Sequence, residues 1–176
     1  MYTLLIIIAA LILIVFVLAF IAPKTYHVYR ATELDHAPTQ VWEHIRYLRK
    51  QQEWSPWAKK DPDMEQKIIG TDGEIGAISY WNGNKEVGEG EQEITKIIDG
   101  KRMEQDLRFL KPFKSRSDCY IELEEIDADR SRVIWGFKGK NKFPMTIMML
   151  FMSMDKMVGK DFEQGLENLK HNLGKT

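Results

Sequence analysis

Twenty consecutive positions, 3 to 22, carry no charge, and Thr3 is the one polar residue among them ("TLLIIIAALILIVFVLAFIA"). At about 1.5 Å per residue, a helix over that run is about 30 Å long, the hydrocarbon thickness of a bilayer. Pro23 and Lys24 end it. The competing reading is a cleaved signal peptide, which calls for a basic start and an apolar run of roughly 7 to 15 residues. The pattern favours an uncleaved anchor over residues 1–23, followed by one domain over residues 24–176.

Past the anchor the hydrophobic period changes. "TYHVYRATEL" (25–34) alternates and is rich in β-formers, so it predicts a strand. "APTQVWEHIRYLRK" puts Val41, Trp42, Ile45 and Leu48 on one helical face, with Pro38 suited to a first turn. "QQEWSPWAKKDPD" is broken by two prolines. From 65 to 140 six strand-like runs are separated by turn chemistry: "MEQKIIG", "AISYWNG", "VGEGEQEITKII", "RMEQDLRFL", "RSDCYIELEEI" and "RVIWGFKG". The intervening Asp-Gly, Asn-Gly and Asp-Ala-Asp sequences are hairpin residues. The pattern predicts a six-stranded antiparallel meander, joined in space by the strand at 25–34.

Residues 143–172 return to helical spacing. Phe151, Val158, Phe162, Leu166, Leu169 and Leu173 fall on one stripe, with Lys156, Lys160, Glu163, Glu167 and Lys170 away from it. The start of this region, "FPMTIMMLFMSMDKMVG", holds six of the nine methionines. It is too short for a second crossing and leads directly into the amphipathic helix. It is therefore expected to be core, or one wall of a pliable apolar pocket, since methionine adapts to varied ligands.

Together these elements predict an α+β domain in which one sheet buries its apolar face under the last helix. Met103, Leu107 and Phe109 share parity on one strand, and Val133, Trp135 and Phe137 on another. These sets are expected to face inward. Glu89, Glu91 and Glu93 fall on one face of their strand, expected to be solvated. Gly88 and Gly90 then take the other face, leaving room for a ligand or marking a bend. The five tryptophans are expected to divide between core packing and ligand contact.

Composition removes several classes of function. Net charge is −1, with 25 basic and 26 acidic residues, so there is no positive excess of the kind nucleic acid requires. Mean hydropathy is −0.36 despite the apolar start, consistent with a soluble domain. Cys119 is the single cysteine, which leaves no intrachain disulfide and no Cys/His zinc set. No GxSxG, HExxH or phosphate-binding glycine loop occurs. His27, His36, His44 and His171 have no paired-ligand spacing, and nothing marks out Asp118 or Glu122 as acid or base. No catalytic residue, metal ligand or cofactor is expected. Lys24 and Arg30 flank the apolar run, and the positive-inside bias places the domain in the cytoplasm of a single-pass cell-membrane protein. Two basic loops, "KPFKSR" (111–116) and "KGKNK" (138–142), read as solvated turns within reach of anionic headgroups.

The order strand, short helices, six strands and long terminal helix resembles the helix-grip (START/Bet v 1-like) fold. The likeness covers about residues 25–173 and is nearest to the membrane-anchored bacterial proteins of the SRPBCC family, related to polyketide cyclase/dehydrase-like domains. "WSPWAKKDPDM" (54–64), "WNGNKEVGEGEQEI" (81–94) and "FMSMDKMVGKDFEQGLENLK" (151–170) carry it. The resemblance implies a curved sheet gripping the last helix, with a cavity between them for an apolar small molecule or lipid. Trp81, Met103, Leu107, Val133, Trp135, Phe137, Phe151, Val158 and Phe162 are the side chains expected to meet that ligand. A cyclase- or dehydratase-type enzyme using the same cavity, or a protein-interaction module, are the alternatives.

Overall fold

A computed structural model describes residues 2–175; Met1 and Thr176, the outer ends of the two expected domains, lie outside the described residues. Helix α1 (Tyr2–Ile21) has no buried residue. It is long and apolar enough to cross a membrane. Strand β1 (Thr25–Leu34) starts four residues beyond it.

Helix α2 (Pro38–Arg46) uses Pro38 in its first turn, where the missing N–H costs nothing, and buries Val41, Trp42 and Ile45. The helical face expected from the sequence continues through Leu48, but the chain breaks at Tyr47, which is extended. Asp72 explains the restart: its carboxylate accepts from the backbone N–H groups of Leu48 (2.7 Å) and Arg49 (3.3 Å). These are unpaired donors at the start of helix α3 (Leu48–Trp54). Ser55 precedes a proline and is pushed out of the helical region, so Pro56 opens a separate helix, α4 (Pro56–Lys60).

Strands β2 (Glu65–Ile69), β3 (Ile78–Asn82), β4 (Glu89–Ile98), β5 (Arg102–Lys111), β6 (Ser115–Asp127) and β7 (Arg130–Lys140) form the expected meander. Strand β1 joins it antiparallel to β7, giving a seven-stranded sheet in the order β1-β7-β6-β5-β4-β3-β2. Register fixes its ends. Thr25 pairs with Lys140, Gly139 with Ser117, Ser115 with Phe109, and Lys111 with Glu89. One end of the sheet therefore collects these residues, and it is the end where α1 joins.

Helix α6 (Met154–Leu173) packs on the inner face over β1 and β7, burying Phe162, Leu166, Leu169 and Leu173. Gly165 allows the approach: a Cβ there would lie 2.5 Å from the Trp135 ring and 3.2 Å from Pro56. The parity set Val133, Trp135 and Phe137 is buried, as the alternation predicts.

Two expectations are corrected. Residues 143–153 do not continue α6. They form a single turn, α5 (Met145–Met148), lying against α1, and the chain then leaves the helix until extended Ser153 caps α6. The helical spacing from Phe151 to Val158 is not realised, and Phe151 is 81% exposed. Phe143, Met148 and Met152 are exposed as well, although Thr146 and Met149 are buried. Within the methionine-rich run it is Met154, Met157 and Val158, at the start of α6, that border the space between helix and sheet. The second correction concerns Glu89, Glu91 and Glu93. They do face outward, but register sets Glu91 beside Arg108, whose guanidinium donates to Glu91 (2.7 Å), Glu93 (2.8 Å) and buried Asp106 (2.7 Å). The face is a half-buried ion-pair lattice, and its carboxylates hold the Arg108 guanidinium more firmly protonated than usual, Glu93 most of all.

Candidate functional site

Between the sheet, α3, α4 and the first half of α6 lies a cavity of about 470 Å³. One wall is a continuous aromatic cluster. Trp135 stacks on Phe162 with centroids 4.4 Å apart and rings 12° from parallel. Trp54 and Trp57 meet Trp135 edge-on at 4.9 and 5.6 Å, and Phe137 meets Phe162 at 5.5 Å. Edge-to-face geometry of this kind fixes ring orientation beyond what area burial does. Across the cavity, Trp81 meets Phe109 edge-on at 5.8 Å and donates its indole N–H to Val87 O (3.2 Å).

Six of the nine residues singled out from the sequence line this space: Trp81, Leu107, Trp135, Phe137, Val158 and Phe162. Three do not. Phe151 lies outside, in the turn before α6. Met103 and Val133 face inward but are wholly buried, without lining the cavity; Met103 Sδ lies 3.4 Å from Gln51 Nε2 on α3. The space near Gly90 is also filled, because the Trp81 ring lies against its Cα and a Cβ there would collide with it.

Hydrophobic patterning misses the polar lining. Tyr26 and Ser117 share a hydroxyl hydrogen bond of 2.7 Å, and burial pushes the Tyr26 phenol up. Gln52 donates to Ser79 Oγ (3.1 Å). Gln51 is held from behind: Gln105 donates to its Oε1 (3.1 Å), leaving the buried Gln105 Oε1 without a partner. Cys119 also lines the cavity, and burial pushes its thiol up, so it stays protonated. Parity carries a signal for several of these. Ser117 and Cys119 alternate in step with Ile121 and Leu123, and Gln92 with Gly90 and Ile94. A search for apolar positions passes over them because they are not strongly hydrophobic.

Charge is confined to the rim. The exposed lining residues include Lys60, Gln66, Glu86, Ser115 and Met157, and Lys60 is ion-paired with Asp161 at 2.7 Å. Glu86 and Asp161 are the carboxylates among the described lining residues. Asp118 and Glu122 lie on the outer face, where Glu122 accepts from Arg102. Among the described residues no three His, Cys, Asp or Glu side chains come together in a metal-binding group.

No protein-family model and no curated protein sequence matches this chain. Its backbone does superpose on solved structures. A Thermobifida fusca protein solved by solution NMR is 16% identical, with a TM-score of 0.64 over 85% of this chain and 93% of that one. Truncated norcoclaurine synthase from Thalictrum flavum is 10% identical, with a TM-score of 0.62 over 85% and 94%. A protein of Nitrosospira multiformis is 16% identical, with a TM-score of 0.61 over 84% and 96%. The fold is the helix-grip, Bet v 1-like fold. At these identities the likeness speaks to backbone alone. In this helix-grip domain the gripped helix is α6, and the cavity lies between it and the inner face of the sheet.

Proposed function

We propose that this chain is a membrane-anchored binding protein for an apolar small molecule or lipid. The observation that carries the reading is the cavity itself. Its volume lies within the roughly 300 to 1,000 Å³ of small-molecule sites. Its walls are aromatic and aliphatic, its inner polar groups are neutral hydroxyls, amides and a thiol, and its carboxylates stay at the rim. Such a lining accommodates an uncharged apolar body and orients it through a few hydrogen bonds. The fold is shared with norcoclaurine synthase, one structure of which holds a transition-state analogue in a point mutant. That supports a ligand-holding role for a fold of this kind. A cyclase or dehydratase in the same space would need acid and base converging inside it, and here Lys60 and Asp161 neutralise each other at the rim.

Helix α1 serves as the single-pass anchor, with residues 24–176 as the domain, and Lys24 and Arg30 set the domain on the cytoplasmic side. The anchor keeps the cavity where apolar ligands partition. Native mass spectrometry of the detergent-purified chain tests the reading. A co-purified apolar small molecule or lipid, held at defined stoichiometry, is expected. Empty protein that also takes up no added fluorescent fatty acid sinks it.

A further inference from the structure

The anchor, the cavity mouth and a group of exposed apolar residues of the domain all lie at one end of the sheet. Ile21 ends α1 and Thr25 begins β1, so the sheet starts within about 14 Å of the last residue of the apolar helix, even if the link is fully extended. The link is pinned as well: Asn141 N–H donates to Lys24 O (2.9 Å) and its side-chain amide to Pro23 O (3.0 Å). Phe143 follows two residues later, and α5 lies against α1.

At this end large apolar side chains point outward. Phe113, in the β5–β6 turn, is 76% exposed; Phe143 is 66% exposed, and Phe151, Met148 and Met152 are exposed beside it. Among the described residues outside α1, Phe151, Phe113 and Phe143 are the most exposed large hydrophobic side chains, and all three fall on the side of the domain nearest the anchor. An apolar patch of this kind marks an interaction surface. The chemistry around it indicates what it meets. Lys114, beside Phe113 in the β5–β6 turn, and Lys138, Lys140 and Lys142, leading to Phe143, stand in no ion pair among the described residues, whereas Arg108, Lys111 and Arg116 are held by carboxylates of the outer face. Exposed aromatic and methionine side chains set among lysines suit the boundary between anionic headgroups and acyl chains. The rim residues Ser115 and Met157 belong to the same end.

We infer that Phe113, Phe143, Phe151 and Met152 form a second, interfacial contact with the bilayer that α1 enters, which turns the cavity mouth toward the lipid. Ligand then passes between membrane and cavity without crossing bulk water. The inference rests on the anchor reading of α1 and does not depend on which ligand the cavity holds.

The test uses the full chain in nanodiscs containing anionic phospholipid, carrying one nitroxide at a time through Phe113→Cys, Phe151→Cys, Val15→Cys or Asp129→Cys. Buried, protonated Cys119 leaves the introduced thiol as the labelled one, and the parent chain measures the background. Accessibility to oxygen against a water-soluble nickel chelate reports depth. Asp129, in the turn at the far end of the sheet, is expected in water and Val15 deep in the bilayer. Labels at 113 and 151 are expected to favour oxygen severalfold over the Asp129 label. Water-like values at 113 and 151 with Val15 still deep overturn the interfacial contact while leaving the anchor standing. A water-like value at Val15 overturns the anchor reading itself. Labels at 113 or 151 shielded from both reagents and dipolar-coupled between chains identify the patch as a protein dimer contact, which also overturns the inference.

Discussion

At Gly90 the indole of Trp81 occupies the volume a side chain would need, and the carbonyl oxygen of Arg108 lies 2.7 Å from where a Cβ would stand. The ring can move only into the cavity, and the backbone of β5 cannot move without disturbing Arg108. Gly90→Ala is therefore expected to destabilise the domain by about 1 to 3 kcal/mol, the usual cost of overpacking. Chemical denaturation measures it, and an unchanged midpoint would mean that the ring shifts freely. Val158 is the opposite case, since it borders open space. Val158→Trp is expected to fill part of the cavity and lower affinity for a fluorescent fatty acid about tenfold or more, a loss of ~1.4 kcal/mol. Its cost in stability should stay below the overpacking range. A large loss of stability with no effect on the probe would identify solid packing at that position.

Among the elements, α6 is held along its length by groups that no local pattern announces. Arg30, on β1, donates to Asp155 (2.8 Å) and Glu163 (2.6 Å), two turns apart on α6, with Gly159 between them making room for the guanidinium. The Arg30 hydrogen bond holds the Asp155 carboxyl below its ordinary value. A carboxyl whose pKa is lowered on folding adds stability above its unfolded pKa of about 3.9, and that contribution fades as pH falls through the folded value. Asp155→Asn is thus expected to lower the melting temperature slightly at pH 6, and the gap to the parent should close as the pH is taken below about 4. Because the pair is exposed, the effect is small. A gap independent of pH would mean that the charge of the Asp155 carboxylate is not what stabilises the helix there. The middle of α6, where it meets Trp135, relies on Gly165, a residue that weakens a helix interior by roughly 1 kcal/mol relative to alanine. The close approach to Trp135 is what makes the glycine necessary.

For the molecule as a whole, α1 contributes no buried residue to the domain. Removing residues 1–23 is expected to leave a folded, monodisperse domain in solution, read by circular dichroism and size-exclusion chromatography. An unfolded product would mean that α1 is part of the domain. A reporter that works only outside the cytoplasm, fused after Thr176, is expected to be silent if Lys24 and Arg30 set the orientation. Activity would reverse the orientation while leaving the anchor in place.

Much of this architecture is legible in the sequence because it is encoded between near neighbours. A twenty-residue uncharged run, period-two alternation from 65 to 140, Asp-Gly and Asn-Gly turns and the stripe from Val158 to Leu173 each declare an element without reference to the rest of the chain. Parity likewise assigns Trp135 and Phe137 to the inner face. Tertiary structure decided which inward residues meet atoms and which meet space. Where α3 and α6 cross the sheet is fixed by contacts far apart in sequence. Met103 and Val133 were therefore wholly buried, whereas Leu107 and Phe137 were left bordering the cavity, although all four share an inward parity. The same long-range packing let the chain turn outward at Phe151, which helical spacing places on the buried stripe. It also brought Gln51, Gln92 and Ser117 to a cavity that hydrophobic pattern alone could not furnish, with Gln51 and Ser117 hydrogen-bonded by Gln105 and Tyr26, residues far away in sequence.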